Sequence, residues 1–457
     1  MNLTQGIEKL FQKFLPSPFT LAVLLTLLTM ALALIFMDTP ADGSRVEAVL
    51  RYWEQGIWNE GLLVFAYQMM LILVLGHILV LSKPVERLIM DITRWTSTTS
   101  NAALLVAAST MLVAFFNWGL GLIFGALLAR KVGEHAQARG ISLNYPLIGA
   151  CGYTGLMVWH GGISGSAPLK VAEEGHLKEL MGSVSQSTVN ALPMLIGTQD
   201  TVFSSSNLLL FATVLIAVAV LAYVLGRRTE SRPVQLEIFK FKKESTNEAK
   251  GAERLDRSPL LTIAFGLLIL AAFLVQYLPA LRELNITPNV LNFFMLGLAL
   301  ILHGSFKKFL EAVEEAIGDV AGIVIQFPLY FGIMGIMSQS GMISQISDFF
   351  VSISTATTLP IFTFFSAGLV NVFVPSGGGQ WAVQGPLVIE SALQLGVPLP
   401  KAIMALAYGD QVTNMLQPFW ALPLLAITKL KASDILPYTL LFMVTASVIY
   451  IIGLLLW

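Results

Sequence analysis

The chain has 457 residues, of which 55% are hydrophobic and only 12% charged, where a soluble domain usually carries roughly 25% charged residues. With a mean hydropathy of +0.74 it belongs in a lipid bilayer, and a formal net charge of -1 offers nucleic acid no electrostatic footprint. Cys151 is the single cysteine, which excludes an internal disulfide.

Leu3 to Phe14, with Lys9 and Lys13, reads as a short amphipathic helix, and Phe19 to Phe36 as a first span rather than a cleaved signal. A span needs about 20 mostly apolar residues. Full spans are expected near 19–37, 62–82, 143–160, 208–226, 260–278, 288–304, 320–338, 402–424 and 435–456. Two further segments, 102–131 and 359–395, are too long for one helix and carry a glycine-rich break, Asn117-Trp118-Gly119-Leu120-Gly121 and Pro375-Ser376-Gly377-Gly378-Gly379. Each is expected to be a re-entrant helical hairpin of two half-spans, because lipid tolerates non-helical backbone only where protein or a water-filled cavity satisfies it.

Charge placement orients these spans. The linker 227–257 is rich in Lys and Arg and is expected in the cytoplasm. Counting outward from it puts Lys9, Lys13, 131–142, Lys307, Lys308, Lys429 and Lys431 inside, and 38–61, 168–207 and 339–358 outside. The N-terminus is then cytoplasmic, the C-terminus outside, and the two hairpins enter from opposite sides.

The halves echo each other. An offset of 258 residues pairs Gln68 with Gln326, Ser82 with Ser340, Phe115 with Phe373, Gly119 with Gly377 and Gly121 with Gly379. An offset of 255 pairs Ala150 with Ala405, Tyr153 with Tyr408, Pro168 with Pro423 and Leu169 with Leu424. Order, constant offset and opposed hairpins together point to an all-α polytopic fold of two inverted-topology repeats. Residues 1–226 form the first repeat, 227–257 the basic linker, 258–280 a connecting transmembrane helix that restores the opposite orientation, and 281–457 the second repeat.

After each hairpin a span breaks midway, at Trp159-His160-Gly161-Gly162-Ile163-Ser164-Gly165-Ser166 and at Gly409 to Pro418. Interrupted spans at matching places in two halves are the best sequence pointer to a transporter's binding site. Free N–H groups and the partial positive charge of a helix N-terminus hold an anion without Lys or Arg, and no Lys or Arg falls inside a predicted break. The expected donors and backbone approach points are Asn117, Gly119, Gly121, Gly162, Ser164, Gly165, Ser166, Ser376, Gly377, Gly378, Gly379, Thr413 and Asn414. Gln380 adds a donor and Trp381 an aromatic wall beside the second tip, with Phe419 and Trp420 as apolar surface. This set suits a small monocarboxylate better than a dicarboxylate, since an unpaired buried carboxylate is costly.

Asp410 is the sole acidic residue in the breaks, and an intramembrane ionisable group is a functional candidate by default. Asp410, His160 and Asn414 are the candidates for handling a coupling ion, H⁺ or Na⁺; a helix cap, or a hydrogen bond from Asp410 to Asn414, is the structural alternative. No other cofactor is expected, and neither a metal-ligand cluster nor a nucleophile–base spacing suggests an enzyme.

Through NWGLGL (117–122), GGISGSAPL (161–169), VPSGGGQWAVQGP (374–386) and AYGDQVTNMLQPFWALPLLAI (407–427), nearly the whole chain resembles the AtoE-type short-chain fatty acid transporter family. The resemblance implies uptake of acetoacetate, butyrate and similar anions across the bacterial inner membrane. It also implies a relationship to inverted-repeat ion transporters, often dimeric and elevator-like. The residues themselves leave open a carrier for another small organic anion such as a C4-dicarboxylate, a cation/proton antiporter and a passive anion channel.

Overall fold

The computed structural model describes residues 17–37, 43–85, 87, 91, 96–181, 192–237, 251–282 and 288–457. The N-terminal amphipathic helix expected over 3–14 lies outside the described residues. Helix α1 (Pro18–Phe36) starts at the Ser17 cap with proline in its first turn, a position where the missing N–H costs nothing. Next come α2 (Arg45–Ile57) and α3 (Glu60–Leu81). Helices α4 (Thr99–Phe116) and α5 (Trp118–Arg139) fold back on each other about the single residue Asn117, and Gly140, in the left-handed conformation, ends α5. Strand β1 (Ser142–Leu143) leads to α6 (Tyr145–Tyr153), a 3-10 turn over Thr154–Met157, the short helices α7 (Ser166–Val171) and α8 (His176–Leu180), and α9 (Ser205–Arg228).

Strand β2 (Arg232–Pro233) pairs antiparallel with β1, Ser142 opposite Pro233 and Leu143 opposite Arg232. The second part begins with α10 (Glu253–Asp256), α11 (Pro259–Arg282), α12 (Pro288–His303), α13 (Phe306–Ala316), α14 (Ala321–Gln339) and α15 (Met342–Ser352). A second helix pair follows, α16 (Leu359–Phe373) and α17 (Gly377–Leu395). The chain closes with α18 (Leu399–Thr413), a 3-10 turn over Asn414–Leu416, α19 (Pro418–Thr428) and α20 (Ala432–Leu456).

Among the described residues 7 helices are long and apolar enough to cross a membrane, and 288–303, 359–373 and 419–428 are shorter apolar helices. Helix α11 exposes Leu260, Leu267, Leu268 and Val275, apolar surface that suits lipid rather than water. The chain is therefore an all-α, multi-pass membrane protein. Helices α2 and α13 have no counterpart in the span reading, which took 38–61 as an outer loop. Both are amphipathic and too short to cross, so a search for 20-residue apolar runs passes over them.

The packing is reciprocal. Helices α1 and α2 pack against α14, while α12 and α13 pack against α3. At α2 the fit is backbone to backbone: a Cβ on Gly56 or Gly335 would overlap the carbonyl of Phe331 or of Tyr52. At α12, Gln68 Nε2 donates to Asn289 Oδ1 at 2.9 Å, Asn292 Nδ2 to Gln68 O at 2.9 Å, and His303 Nε2 meets Ile78 O at 2.8 Å. The late pieces of the two broken spans are exchanged in the same way, α7 lying against α17 and α19 against α5. This exchange brings both breaks and both helix-pair tips to one place.

Candidate functional site

Each tip is shaped by a capping side chain. Asn117 is extended (φ -150, ψ 123) and its Oδ1 accepts from Leu120 N at 2.9 Å, so one residue ends α4 and caps α5. Gly121 permits the tight reversal, because a Cβ there would overlap Ala114 in the facing arm. Ser376 (φ -147, ψ 102) does the same for α17, its Oγ accepting from Gly379 N at 3.2 Å. The tips differ in what remains free. Trp118 N donates to Ser164 Oγ at 2.9 Å, which ties the first tip to the first break. The backbone N–H groups of Gly377 and Gly378, the first two of α17, have no hydrogen-bond partner among the described residues.

Peptide groups in the breaks are buried and must be paired. Gln411 Oε1 accepts from His160 N at 2.8 Å and Gly161 N at 2.9 Å, while its Nε2 donates to Tyr450 Oη at 2.9 Å. That hydroxyl donates in turn to Met157 O at 2.9 Å. Asn207 Nδ2 donates to Gly161 O at 2.8 Å, and Tyr408 Oη donates to Asn207 Oδ1 at 2.8 Å. At the second break Tyr153 Oη donates to Gln417 O at 2.9 Å, and Asn414 Nδ2 donates to Leu156 O at 3.3 Å. Asn371 Nδ2 donates to Asp410 O, Thr413 Oγ1 and Asn414 Oδ1 at 2.8, 3.0 and 2.8 Å. Each break is thus held by residues from both parts of the chain, Gln411 and Asn207 at the first and Tyr153 and Asn371 at the second.

His160 and Asp410 meet between the breaks, 0% and 1% exposed, with Nδ1 and Oδ2 2.5 Å apart. Ala167 N donates to His160 Nε2 at 3.0 Å. Nε2 therefore carries no proton, and a neutral imidazole keeps its proton on Nδ1 and donates it to the carboxylate. Among the described residues Asp410 Oδ1 has no partner, and neither do Asn371 Oδ1 and Gln417 Oε1. These are three buried acceptor oxygens on residues of one hydrogen-bonded cluster, chemistry that suits a proton or a hard cation. The link from Asp410 goes to His160 rather than to the Asn414 side chain.

A cavity with about 80 Å³ of room for water centres lies between the tips, against roughly 10–15 Å³ needed for a single water. Its described lining is polar at Ser166, Ser376, Gly377 and Gly378 and apolar at Phe65, Trp118, Leu156, Trp159 and Trp420. Trp118 lies 5.2 Å from Trp420 and 5.9 Å from Trp159 between ring centroids, and Phe65 lies 6.2 Å from Trp420. Trp159 stacks on His160 at 4.5 Å, so the ionisable pair sits directly behind the cavity wall. Gly377 seals that wall: a Cβ there would stand 2.8 Å from both His160 Cε1 and Trp159 Cη2.

Of the residues singled out from the sequence, Ser166, Ser376, Gly377 and Gly378 line the cavity. Asn117, Gly119, Gly121 and Gly379 belong to the tips, and Ser164, in the first break, accepts from Trp118 N at the first tip. A Cβ on Gly162 would overlap Phe115 O, and one on Gly165 would overlap His160 O, so both permit close backbone approach. Thr413 and Asn414 belong to the polar network around Asp410. Gln380 and Trp381 lie elsewhere. Gln380 Nε2 donates to Ala367 O at 2.9 Å and Gln384 Oε1 at 2.7 Å, and Trp381 Nε1 donates to His176 Nε2 at 3.1 Å within a separate apolar cluster. Both sit a full turn past the tip, where α17 packs on α16 and α8 rather than on the cavity. Phe419 stacks on Phe327 at 4.0 Å instead of facing the cavity. Sequence reasoning missed Phe65, Asn207, Asn371, Gln411 and Tyr450. The polar ones carried a signal, an amide or hydroxyl inside an apolar run; Phe65 carried none.

The family model for short chain fatty acid transporters matches residues 1–457. An Escherichia coli (strain K12) protein provisionally named a short-chain fatty acid transporter is 37% identical over 470 residues, covering 99% of each chain. A Haemophilus influenzae protein of the same provisional name is 34% identical, over 97% of this chain and 96% of its own. The solved Alcanivorax borkumensis YdaH transporter aligns over 97% of this chain and 98% of its own at 15% identity with a TM-score of 0.45. The family match spans the full length, and the chain belongs to the short-chain fatty acid transporter family.

Proposed function

We propose that this protein is a secondary carrier that moves short-chain fatty acid anions, acetoacetate, butyrate and their like, across the bacterial inner membrane by alternating access. The carrying observation is the convergence of two capped helix N-termini and two span breaks on one ring-lined cavity beside the buried His160–Asp410 pair. The α17 N-terminus, with two free N–H groups and roughly half an elementary charge of positive potential, receives the carboxylate. The Asp410 cluster takes up the coupling ion, H⁺ or Na⁺, on its unpartnered oxygens.

In this reading the two helix pairs are re-entrant hairpins in inverted repeats, and they move with the broken spans against a scaffold of α1, α3, α12 and α14. The reciprocal packing of α1 and α2 on α14, and of α12 and α13 on α3, supports the repeat. Contacts between chain ends support the orientation read from charge, because each joins segments assigned to one side. Lys401 Nζ donates to Trp457 O at 3.0 Å outside, Gln345 Nε2 to Phe36 O at 3.1 Å outside, and Tyr145 Oη to Thr428 O at 3.0 Å inside.

Uptake of labelled butyrate into proteoliposomes under an imposed Na⁺ or pH gradient tests the proposal. Accumulation driven by one gradient is expected and names the ion. Equilibration without accumulation would mean a channel or uniporter, and no uptake of any monocarboxylate would remove the substrate class.

A further inference from the structure

We infer that the cavity accepts its substrate in a single orientation, carboxylate on the α17 tip and hydrocarbon tail among the rings, and that Phe65 and Trp420 set the chain length it takes. This rests on the carboxylate reading above and adds a direction and a ruler to it.

The repeat makes the point sharp. A site between two inverted repeats would, with matching residues, hold a small anion either way round. Here the matching residues differ. At the offset of 258, Trp118 stands where the second part has Ser376; at the offset of 255, Ser166 stands where it has Ala421, and Trp420 where the first has Gly165. Among the described lining residues, Ser166, Ser376, Gly377 and Gly378 supply the polar groups, Trp159 stands beside Gly377, and Phe65, Trp118 and Trp420 form one ring cluster through mutual contacts. The polar wall is contiguous, since Ser166 Oγ lies 3.9 Å from the position a Gly378 Cβ would occupy.

The donors point the same way. The first tip's leading N–H is taken by Ser164, whereas those of Gly377 and Gly378 are free. Trp159, 5% exposed and lining the same cavity, carries a buried Nε1–H with no partner. Donors without acceptors suit an anion. With no cation among the described lining residues, a second carboxylate would have to enter among Phe65, Trp118 and Trp420 unpaired, which is very costly. The ligand class is therefore a monocarboxylate whose tail ends against Phe65 and Trp420.

Proteoliposome uptake of acetate, butyrate, hexanoate and octanoate, with succinate as competitor, tests this on the full chain. Each methylene buried is worth roughly fourfold in affinity. Shortening a ring to admit two more carbons, in Phe65→Ala or Trp420→Leu, is expected to raise the hexanoate-to-butyrate ratio by roughly tenfold. Phe65→Trp should lower that ratio and favour acetate. Ser376→Ala and Ser166→Ala should weaken uptake of every chain length alike, and succinate should not compete. A profile unmoved in ring variants that still transport, a profile moved by the serine variants, or competition by succinate would overturn the inference. If Trp420→Leu unfolds in detergent, Phe65→Leu and Phe65→Trp decide the matter, since Phe65 is only partly buried. A wild-type protein that moves no monocarboxylate removes the carrier reading and this inference together; one that does, with an unmoved profile, removes only this inference.

Discussion

At the scale of residues, His160 and Asp410 are best separated by unequal substitutions. Asp410→Asn keeps an oxygen to accept from His160 Nδ1–H and removes only the charge and the exchangeable proton site. Its cost to folding should be about 1 kcal/mol, the worth of an ordinary hydrogen bond, while gradient-driven accumulation is lost. Comparing thermal unfolding in detergent with accumulation in liposomes checks both halves, and an Asp410→Asn variant with normal ion dependence would retire Asp410 as the coupling residue. His160→Ala strands the carboxylate and the Ala167 N–H together, and leaves a void under Trp159 and Gly377. Stranding a buried charge costs about 3–5 kcal/mol, so this variant should express poorly where Asp410→Asn does not. Asp and His are conspicuous in an apolar sequence. That they form one pair across 250 residues of chain is not, because hydrogen-bond partners so remote are chosen by the packing of the breaks.

Among elements, the helix pairs and broken spans were legible because glycine and proline interrupt apolar runs, and the helices end close to the expected places. The tips turn on caps as much as on glycines. Ser376→Ala should cost about 1 kcal/mol in stability through the lost bond to Gly379 N, separable from its effect on uptake by thermal unfolding. Helix-to-helix contact depends on paired glycines. A Cβ on Gly125 would overlap the Gly152 carbonyl, and one on Gly152 would stand 2.5 Å from Gly125 O, so α5 and α6 touch through bare backbone. Gly125→Ala should therefore destabilise by about 1–3 kcal/mol, as overpacking does. Gly318→Ala, with nothing within 4 Å of the added carbon and no positive φ, should be close to neutral. A neutral Gly125→Ala in the same unfolding assay would contradict the packing described. The amphipathic helices α2 and α13 were not legible as elements. They neither cross the bilayer nor carry a break, and only their seats on α14 and α3 explain them.

For the whole molecule, the proposed alternating access requires the cavity wall to part. A crosslink between cysteines at Ser376, on the tip proposed to move, and Phe65, on α3 of the proposed scaffold, should abolish uptake reversibly with reductant. Cys151, fully buried, should not interfere. Crosslinked protein that transports at the uncrosslinked rate would argue strongly against the motion.

Composition and the length of apolar runs alone placed the chain in a bilayer and located the breaks in its apolar segments, because insertion into lipid is a local contest between apolar side chains and backbone polarity. The block motifs carried the resemblance to the family. Tertiary structure alone decided which interrupted segments face one another. It put Ser166, Ser376, Gly377 and Gly378 on the cavity, turned Gln380 and Trp381 away from it, supplied Phe65, and joined His160 to Asp410. Local rules cannot reach those choices, since they depend on which remote segments pack together, as where Gln411 satisfies the backbone N–H groups of His160 and Gly161, 251 and 250 residues away.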